Sequence, residues 1–406
     1  MFKQRTLSNG LTIVAEPDPS AHSAAAGFFV KTGARDEPTP LMGVSHFLEH
    51  MMFKGTPNRS AAQLNQAFDD IGARNNAYTS HEVTCFYAHV LPEFAGTATE
   101  LLGDMLRPAL RQDDFDTEKG VILEEIAMYK DNPFWVLYED VAAKRFGEHP
   151  LGHRVLGTDE SIKALTRDQM QSYFDERYSA DNTVVSLAGN IDFERECDLI
   201  EKLCGSWQST GVTRDSTPPA TLEKRINLTD DRFGRAYMLL LTPAPSAQDE
   251  RRYAATLLTQ ILGAADNSRL HWALIENGLA EEAQAAYEGH DGVGEYLIYA
   301  SGDPDRIEEI EKVADREIRG LMDSLTQDDL DRLAGKFATS FTIGAERPAD
   351  RMQRLGRRWT LLGEYRTLDE ELERIRSVTL KDLREVYEAF PFTPRTVGVL
   401  RPPSSA

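Results

Sequence analysis

The chain has 406 residues, 41% of them hydrophobic and 9% aromatic, which is enough apolar surface to fill the cores of two or more ordinary domains. This composition excludes an intrinsically disordered protein. The 66 acidic residues outnumber the 45 basic ones and give a formal net charge of −21, which argues against a nucleic-acid-binding protein, because phosphate binding needs a basic surface.

The first predicted elements are a β-hairpin over residues 2–17, with its turn at Asn9-Gly10, and a buried strand over residues 24–30. The N-terminal residues lack the apolar core of a signal peptide, and no run of eighteen apolar residues occurs in the sequence. The three cysteines match neither a disulfide framework nor a zinc ribbon. We therefore expect a cytoplasmic protein.

The next element is the segment Gly43–Phe53, which contains His46-Phe47-Leu48-Glu49-His50. Its apolar residues lie on several sides, and it has no proline, so we predict a buried helix. His46 and His50 are four residues apart and share one helix face, so both rings can bind one metal ion. Glu49 borders that face, where a carboxylate can accept a proton from water. H-x-x-E-H inverts the H-E-x-x-H zinc motif and predicts a zinc site.

A third ligand is needed, because catalytic zinc usually has three from the protein. Beyond a helix over 60–71, paired strands over 76–80 and 84–90, and a helix over 92–106, the sequence predicts a long acidic helix over 113–130. Glu118 and Glu125 lie two turns apart on one face of this helix, whereas Glu124 points elsewhere. The competing interpretation is a histidine pair satisfied within the core and an acidic helix that faces water.

The rest of the chain mixes helices and strands in an order that partly repeats. The predicted helices cover residues 136–146, 166–178, 193–205, 249–262, 307–324, 326–356 and 379–390, with another beginning at 267. The predicted strands cover residues 182–188, 236–241, 295–300 and 396–400. A Pro-, Ser- and Thr-rich linker spans 207–223. We therefore predict an α+β protein with a metal-bearing N-terminal domain, residues 1–210, and a C-terminal domain without the metal, residues 222–406.

Several of these segments resemble the pitrilysin/insulinase family of zinc metallopeptidases. The similarity is to its short two-domain branch, which includes bacterial processing peptidases and the β-subunit of the mitochondrial processing peptidase. The segments are residues 7–11, 43–56, 72–80, 118–133, 149–152 and 187–190, with a weaker match at 267–270.

The resemblance implies two domains of similar fold, each a mainly antiparallel sheet flanked by helices. The implied ligands of one Zn²⁺ per chain are His46, His50 and Glu125. Glu49 is the implied general base, and Glu118 is a second acidic residue that supports catalysis. The residues implied to bind the substrate backbone along a sheet edge are Asn76, Ala77, Tyr78 and Thr79. A solvated helical acid is the alternative for Glu118.

The resemblance further implies a zinc-dependent endopeptidase that cleaves peptides or presequence-like unfolded segments. Catalytic relatives carry an arginine and a tyrosine seven residues apart in their second half, whereas this chain has Ile275 and Glu281. We therefore expect either a homodimer or the metal-bearing subunit of a heterodimer whose other chain supplies that pair. A non-catalytic scaffold is the third alternative. The acidic surface favours solubility or attracts basic peptides, and we expect no nucleic-acid or membrane partner.

Overall fold

The computed structural model describes residues 1–220, 223–323 and 325–403. Residues 222 and 324, at which a predicted domain begins and a predicted helix ends, lie outside the described residues. The chain forms two compact units, each built from three segments. The first unit comprises Met1–Ile126, His153–Asp215 and Thr342–Tyr365, and the second comprises Ala127–Gly152, Ser216–Phe341 and Arg366–Ala406.

The first unit contains a six-stranded mixed sheet. Its strands are β1 (Lys3–Thr6), β2 (Thr12–Pro17), β3 (Ala24–Val30), β4 (Arg74–Thr79), β5 (Thr84–Val90) and β6 (Thr183–Gly189). Their order is β1-β2-β6-β3-β5-β4, and only β2 and β6 run parallel among the described pairs. The predicted hairpin and buried strand are confirmed as β1–β2 and β3, and β4 lies at one edge of the sheet.

The second unit contains a five-stranded mixed sheet. Its strands are β7 (Lys224–Thr229), β8 (Ala236–Ala244), β9 (Ala280–Gly289), β10 (Gly294–Gly302) and β11 (Thr396–Arg401). The order β7-β11-β8-β10-β9 has the connectivity of β2-β6-β3-β5-β4, including a single parallel pair among the described strands, β7 with β11. The α+β class with two mainly antiparallel sheets of similar topology is confirmed.

Fourteen α-helices occur in the described residues. They are α1 (Val44–Met52), α2 (Ala61–Asp70), α3 (Ala95–Met105), α4 (Gln112–Tyr129), α5 (Pro133–Phe146), α6 (Asp159–Ala164), α7 (Arg167–Arg177), α8 (Phe193–Cys204), α9 (Arg252–Gly263), α10 (Ile307–Arg319), α11 (Gln327–Ala345), α12 (Pro348–Leu362), α13 (Leu368–Arg376) and α14 (Leu380–Ala389). Within the described chain, none is both long and apolar enough to cross a membrane.

Several elements differ from the sequence predictions. No strand was predicted over β7 or β9, and no helix over α6 or α13. The single helix predicted over residues 326–356 is wrong, because it is two helices separated before Pro348, whose ring lacks an N–H and which begins α12.

Each sheet is covered by a helix from the other half of the sequence. In the first unit, α12 packs on β2, β3 and β6, and in the second unit α5 packs on β8 and β11. The strands of the two sheets lie within residues 1–210 and 222–406 respectively, but the two units exchange these helical segments. As a division of the sequence into two domains, the ranges 1–210 and 222–406 stay a prediction.

The contact between α12 and β3 requires a glycine at position 356. A Cβ added there would lie 2.1–2.5 Å from three ring carbons of Phe29, which is fully buried. We expect Gly356→Ala to destabilise the protein by about 1–3 kcal/mol through overpacking. Urea denaturation measures the change. Gly120→Ala is the matched control, because it lies in the middle of α4 with nothing within 4 Å of the added Cβ, and should stabilise the helix by about 0.5–1 kcal/mol. Equal effects of the two substitutions would contradict this reading of the contact.

Candidate metal centre

Helix α1 begins at a buried anchor formed by Glu37. Gly43 precedes the helix with a φ of 92°, a left-handed conformation that favours glycine. The Glu37 carboxylate accepts hydrogen bonds from the backbone N–H groups of Gly43 and Ser45, each at 2.7 Å. These donors have no partner within the helix. Burial raises the pKa of Glu37 to about 8, although the two backbone hydrogen bonds act in the opposite direction. The buried helix predicted over Gly43–Phe53 is confirmed as α1, and its start is fixed by a residue in the loop that precedes it.

The side chains of His46, His50 and Glu125 converge. Their candidate ligand atoms lie within 4.8 Å of one another. Oε2 of Glu125 is 3.7 Å from Nε2 of His46 and 3.5 Å from Nε2 of His50. These separations are too long for hydrogen bonds. They are close to the ~3.3–3.5 Å between neighbouring ligands of a tetrahedral zinc ion with bonds of about 2.0–2.2 Å. The two imidazoles and one carboxylate therefore fit zinc, and their assignment as ligands stays a prediction.

The electrostatic environment keeps His46 neutral. Burial, together with the neighbouring His50, lowers the pKa of His46 to about 3. A neutral imidazole has the lone pair that metal binding requires, so this ring needs no deprotonation at neutral pH. Nδ1 of His46 is buried and has no hydrogen-bond partner among the described residues.

Glu118 contacts both the second histidine and a lysine. Its Oε1 lies 2.8 Å from Nδ1 of His50, and its Oε2 lies 2.5 Å from the ammonium group of Lys54. Glu118 is only 4% exposed, so the alternative of a solvated helical acid is wrong. A proton on Nδ1 shared with this carboxylate leaves the lone pair on Nε2, which faces Glu125. These contacts favour a role of Glu118 that is exerted through His50, and that role stays a prediction.

Glu49 connects α1 to the sheet. The hydroxyl of Thr79, at the end of β4, donates a 2.6 Å hydrogen bond to Oε2 of Glu49. Burial raises the pKa of Glu49 above its usual value, while the Thr79 bond acts in the opposite direction. A raised pKa brings a carboxylate closer to the range in which it exchanges protons at neutral pH. The Glu49 carboxylate therefore lies beside the predicted metal ligands and against the edge strand, and its role as the general base stays a prediction.

The predicted substrate-binding residues lie on that edge strand. Asn76, Ala77, Tyr78 and Thr79 belong to β4, which pairs with β5 and with no other described strand. Its second side thus offers backbone donors and acceptors to an added strand. The Tyr78 hydroxyl donates to Gln353 at 3.1 Å, which ties β4 to α12. Their role in substrate binding stays a prediction.

Two residues of the centre were not predicted from the sequence. Lys54 lies four residues after His50, a spacing that places the two on one helix face and could have indicated it. No spacing in the sequence indicated Glu37, because it lies in the loop before α1 and reaches the helix start only through the fold of that loop.

The chain departs from its expected family pattern at Ile275 and Glu281. Ile275 ends a single π-helical turn and packs against the apolar core of the second unit, and Glu281 pairs with Arg235. Neither side chain can donate a hydrogen bond to an oxyanion.

The chain matches two family sequence models, several relatives and solved structures. Residues 12–159 match the sequence model of the family described as Insulinase (Peptidase family M16), and residues 164–376 match that of the Peptidase M16 inactive domain. The chain is 33% identical to an uncharacterized zinc protease of Streptomyces coelicolor, over 95% of this chain and 86% of that protein. It is 32% identical to the uncharacterized zinc protease YmxG of Bacillus subtilis, over 94% and 93%. Its fold is similar to that of a Helicobacter pylori protease, with a TM-score of 0.93, 20% identity and coverage of 99% and 100%.

Proposed function

Because the chain belongs to the insulinase family of peptidases, family M16, we propose that it is a zinc-dependent endopeptidase. Its substrates are peptides or presequence-like unfolded segments. The observation that carries the proposal is the convergence of His46, His50 and Glu125, with Glu49 beside them. The relatives' name of zinc protease supports the metal and the reaction class.

The centre has the groups that hydrolysis of a peptide bond requires. His46, His50 and Glu125 would hold the metal. A zinc ion, when bound, is a Lewis acid that polarises a carbonyl group and makes water acidic enough to attack at neutral pH. Glu49 accepts the proton of the attacking water and returns it to the departing amine. The hydrogen bond from Thr79 holds the Glu49 carboxylate in one orientation for both transfers.

The substrate backbone adds to the sheet as a strand beside β4. The hydrogen bond between Thr79, the last residue of β4, and Glu49 places the general base at one end of that strand. A substrate strand paired with β4 therefore brings its scissile bond to Glu49 at that end. Backbone pairing is tolerant of sequence, so this mode suits an extended, unfolded segment. The net charge of −21 favours basic segments among these substrates.

A quenched-fluorescence peptide assay tests the function. The purified chain should cleave an unfolded basic peptide, lose that activity after treatment with a zinc chelator, and recover it when Zn²⁺ is restored. Activity that is unchanged in the chelated protein would refute a metallopeptidase.

Glu118→Gln tests the support given to His50. The amide oxygen is uncharged, so it accepts the hydrogen bond from Nδ1 of His50 more weakly than a carboxylate does. The substitution also removes the ion pair with Lys54. We expect zinc affinity to fall about 10–100-fold, as for other outer partners of ligand histidines. Competition with a chromophoric chelator measures it. Asp116→Asn, an exposed acid two residues earlier on the same helix, should leave the affinity unchanged. Equal affinities of the two variants would rule out the orienting role.

The second candidate function is that of the metal-bearing subunit of a heterodimer. It is favoured by Ile275 and Glu281, which replace the oxyanion-binding pair expected of a self-sufficient peptidase. Such a chain would bind zinc but cleave the peptide poorly until a related chain carrying the arginine and tyrosine is added. Full activity of the purified chain by itself would favour a homodimer instead. No activity, either alone or with the related chain added, would favour a non-catalytic scaffold.

A further inference from the structure

A second group of potential metal ligands lies in the second unit, on the hairpin formed by β9 and β10. Glu288 lies on β9, Glu295 lies on β10, and His290 is in the turn between them. One candidate ligand atom from each of the three lies within 4.8 Å of the others. The turn is held by its backbone, since the His290 N–H donates to the Val293 carbonyl at 2.7 Å. The three side chains are thus presented by a short, ordered segment.

The carboxylate of Glu295 is buried without a full set of partners. Glu295 is 1% exposed, and its Oε2 has no hydrogen-bond partner among the described residues. Arg145 on α5 lies nearby, but its Nε is 3.8 Å from that oxygen and is likewise without a hydrogen-bond partner in the described chain. The pair therefore does not close into the hydrogen-bonded ion pair that normally compensates a buried charge. Oε2 of Glu295 is a desolvated acceptor that makes no hydrogen bond among the described residues.

The strand register adds a second reason. Glu288 and Glu295 are directly opposite each other in the β9–β10 pair. Like charges at opposed positions destabilise a sheet. The His290 ring lies within reach of both carboxylates. Burial, and less strongly the neighbouring Glu288, raises the pKa of Glu295, while His290 and Arg145 act in the opposite direction.

We propose that Glu288, His290 and Glu295 bind a divalent transition-metal ion, Zn²⁺ in the first instance. One imidazole and two carboxylates are ligands that zinc accepts, and the exposed Glu288 gives the ion a path from solvent. The site is structural: it stabilises the turn of the β9–β10 hairpin. It is independent of the centre formed by His46, His50 and Glu125.

Zinc binding by a full-length His50→Ala chain tests the site, because that substitution removes a ligand of the other centre. The retained zinc is measured by mass spectrometry after gel filtration, and the affinity by competition with a chromophoric chelator. We expect His50→Ala to bind about one zinc ion per chain. Adding Glu288→Gln to it should lower that affinity at least about 10-fold. Zinc should also raise the melting temperature of His50→Ala by roughly 5 °C at a hundredfold excess over the dissociation constant.

The control is Glu282→Gln in the same background, because Glu282 is an exposed acid on the same strand, outside the cluster. It should bind zinc as the His50→Ala parent does. Glu288 is exposed, so its isosteric replacement is tolerated even where a substitution of the buried His290 is not. Equal zinc affinity in the Glu288→Gln and Glu282→Gln chains, or no zinc bound by His50→Ala, overturns the proposal. Peptidase activity is not a readout, so these results are separate from the fate of the proposed function.

Discussion

Replacing Glu49 by glutamine should abolish peptide hydrolysis and leave zinc binding unchanged. Glutamine has the same shape, and its carbonyl oxygen can still accept the hydrogen bond from Thr79, so α1 and its histidines keep their positions. The amide cannot accept a proton from water. We expect kcat to fall by about 10²–10⁴, the usual contribution of a general base, as measured with a quenched-fluorescence peptide at saturating zinc.

Glu124→Gln is the matched control for this substitution. Glu124 is an exposed acid on α4, adjacent in sequence to a predicted ligand, so its neutralisation removes the same charge from the chain without touching the reacting groups. It should retain the activity of the unmodified protein. Full activity in Glu49→Gln with zinc bound would remove Glu49 as the base.

Replacing Glu125 by glutamine should remove zinc from the centre. The carboxylate is the only anionic member of the predicted ligand set, and its Oε2 lies 3.5 and 3.7 Å from the two histidine nitrogens. A neutral amide is a much weaker ligand, so we expect the affinity to fall by more than the roughly 100-fold typical of an outer partner. Peptidase activity should fall with zinc occupancy and return in part at high zinc.

The measurement needs a background without the proposed hairpin site. In a Glu288→Gln chain, the zinc that survives gel filtration reports the centre on α1 and α4 alone. Glu124→Gln is again the control, one residue away and exposed. If Glu125→Gln and Glu124→Gln retain equal zinc, Glu125 is not a ligand and the proposed centre is wrong.

The elements that the sequence predicted well are those with a strong local pattern. The metal-motif helix, the β1–β2 hairpin and β3 combine apolar periodicity with clear end signals such as Asn9-Gly10. Strand β9 carries no such pattern. It consists mainly of alanine and glutamate, residues with low strand propensity, and becomes a strand through pairing with β10.

The centre was predictable to a similar extent. The helix spacing brought His46, His50 and Glu49 together, and the family resemblance selected Glu125 and Glu118 from an acidic helix. The burial of Glu118 against His50 and Lys54 depends on how α4 packs on α1, which helix periodicity does not specify. The same limit applies to α5 and α12, since a sequence pattern shows which helix face is apolar but not which sheet it covers.

Helix α12 comes late in the sequence but packs on the sheet of the first unit, and this affects when that unit can finish folding during synthesis. All six of its strands have emerged once residue 189 has left the ribosome, yet Phe29 and Ala25 pack in a cluster with Met352. The face of the sheet that α12 packs on therefore lacks this helix while more than a hundred and fifty further residues are translated. Domains usually mature in order from the N-terminus. Here the earliest-made sheet acquires this cover only after strands β7 to β10 have also been made, so its folding cannot be completed before most of the second unit has been synthesised.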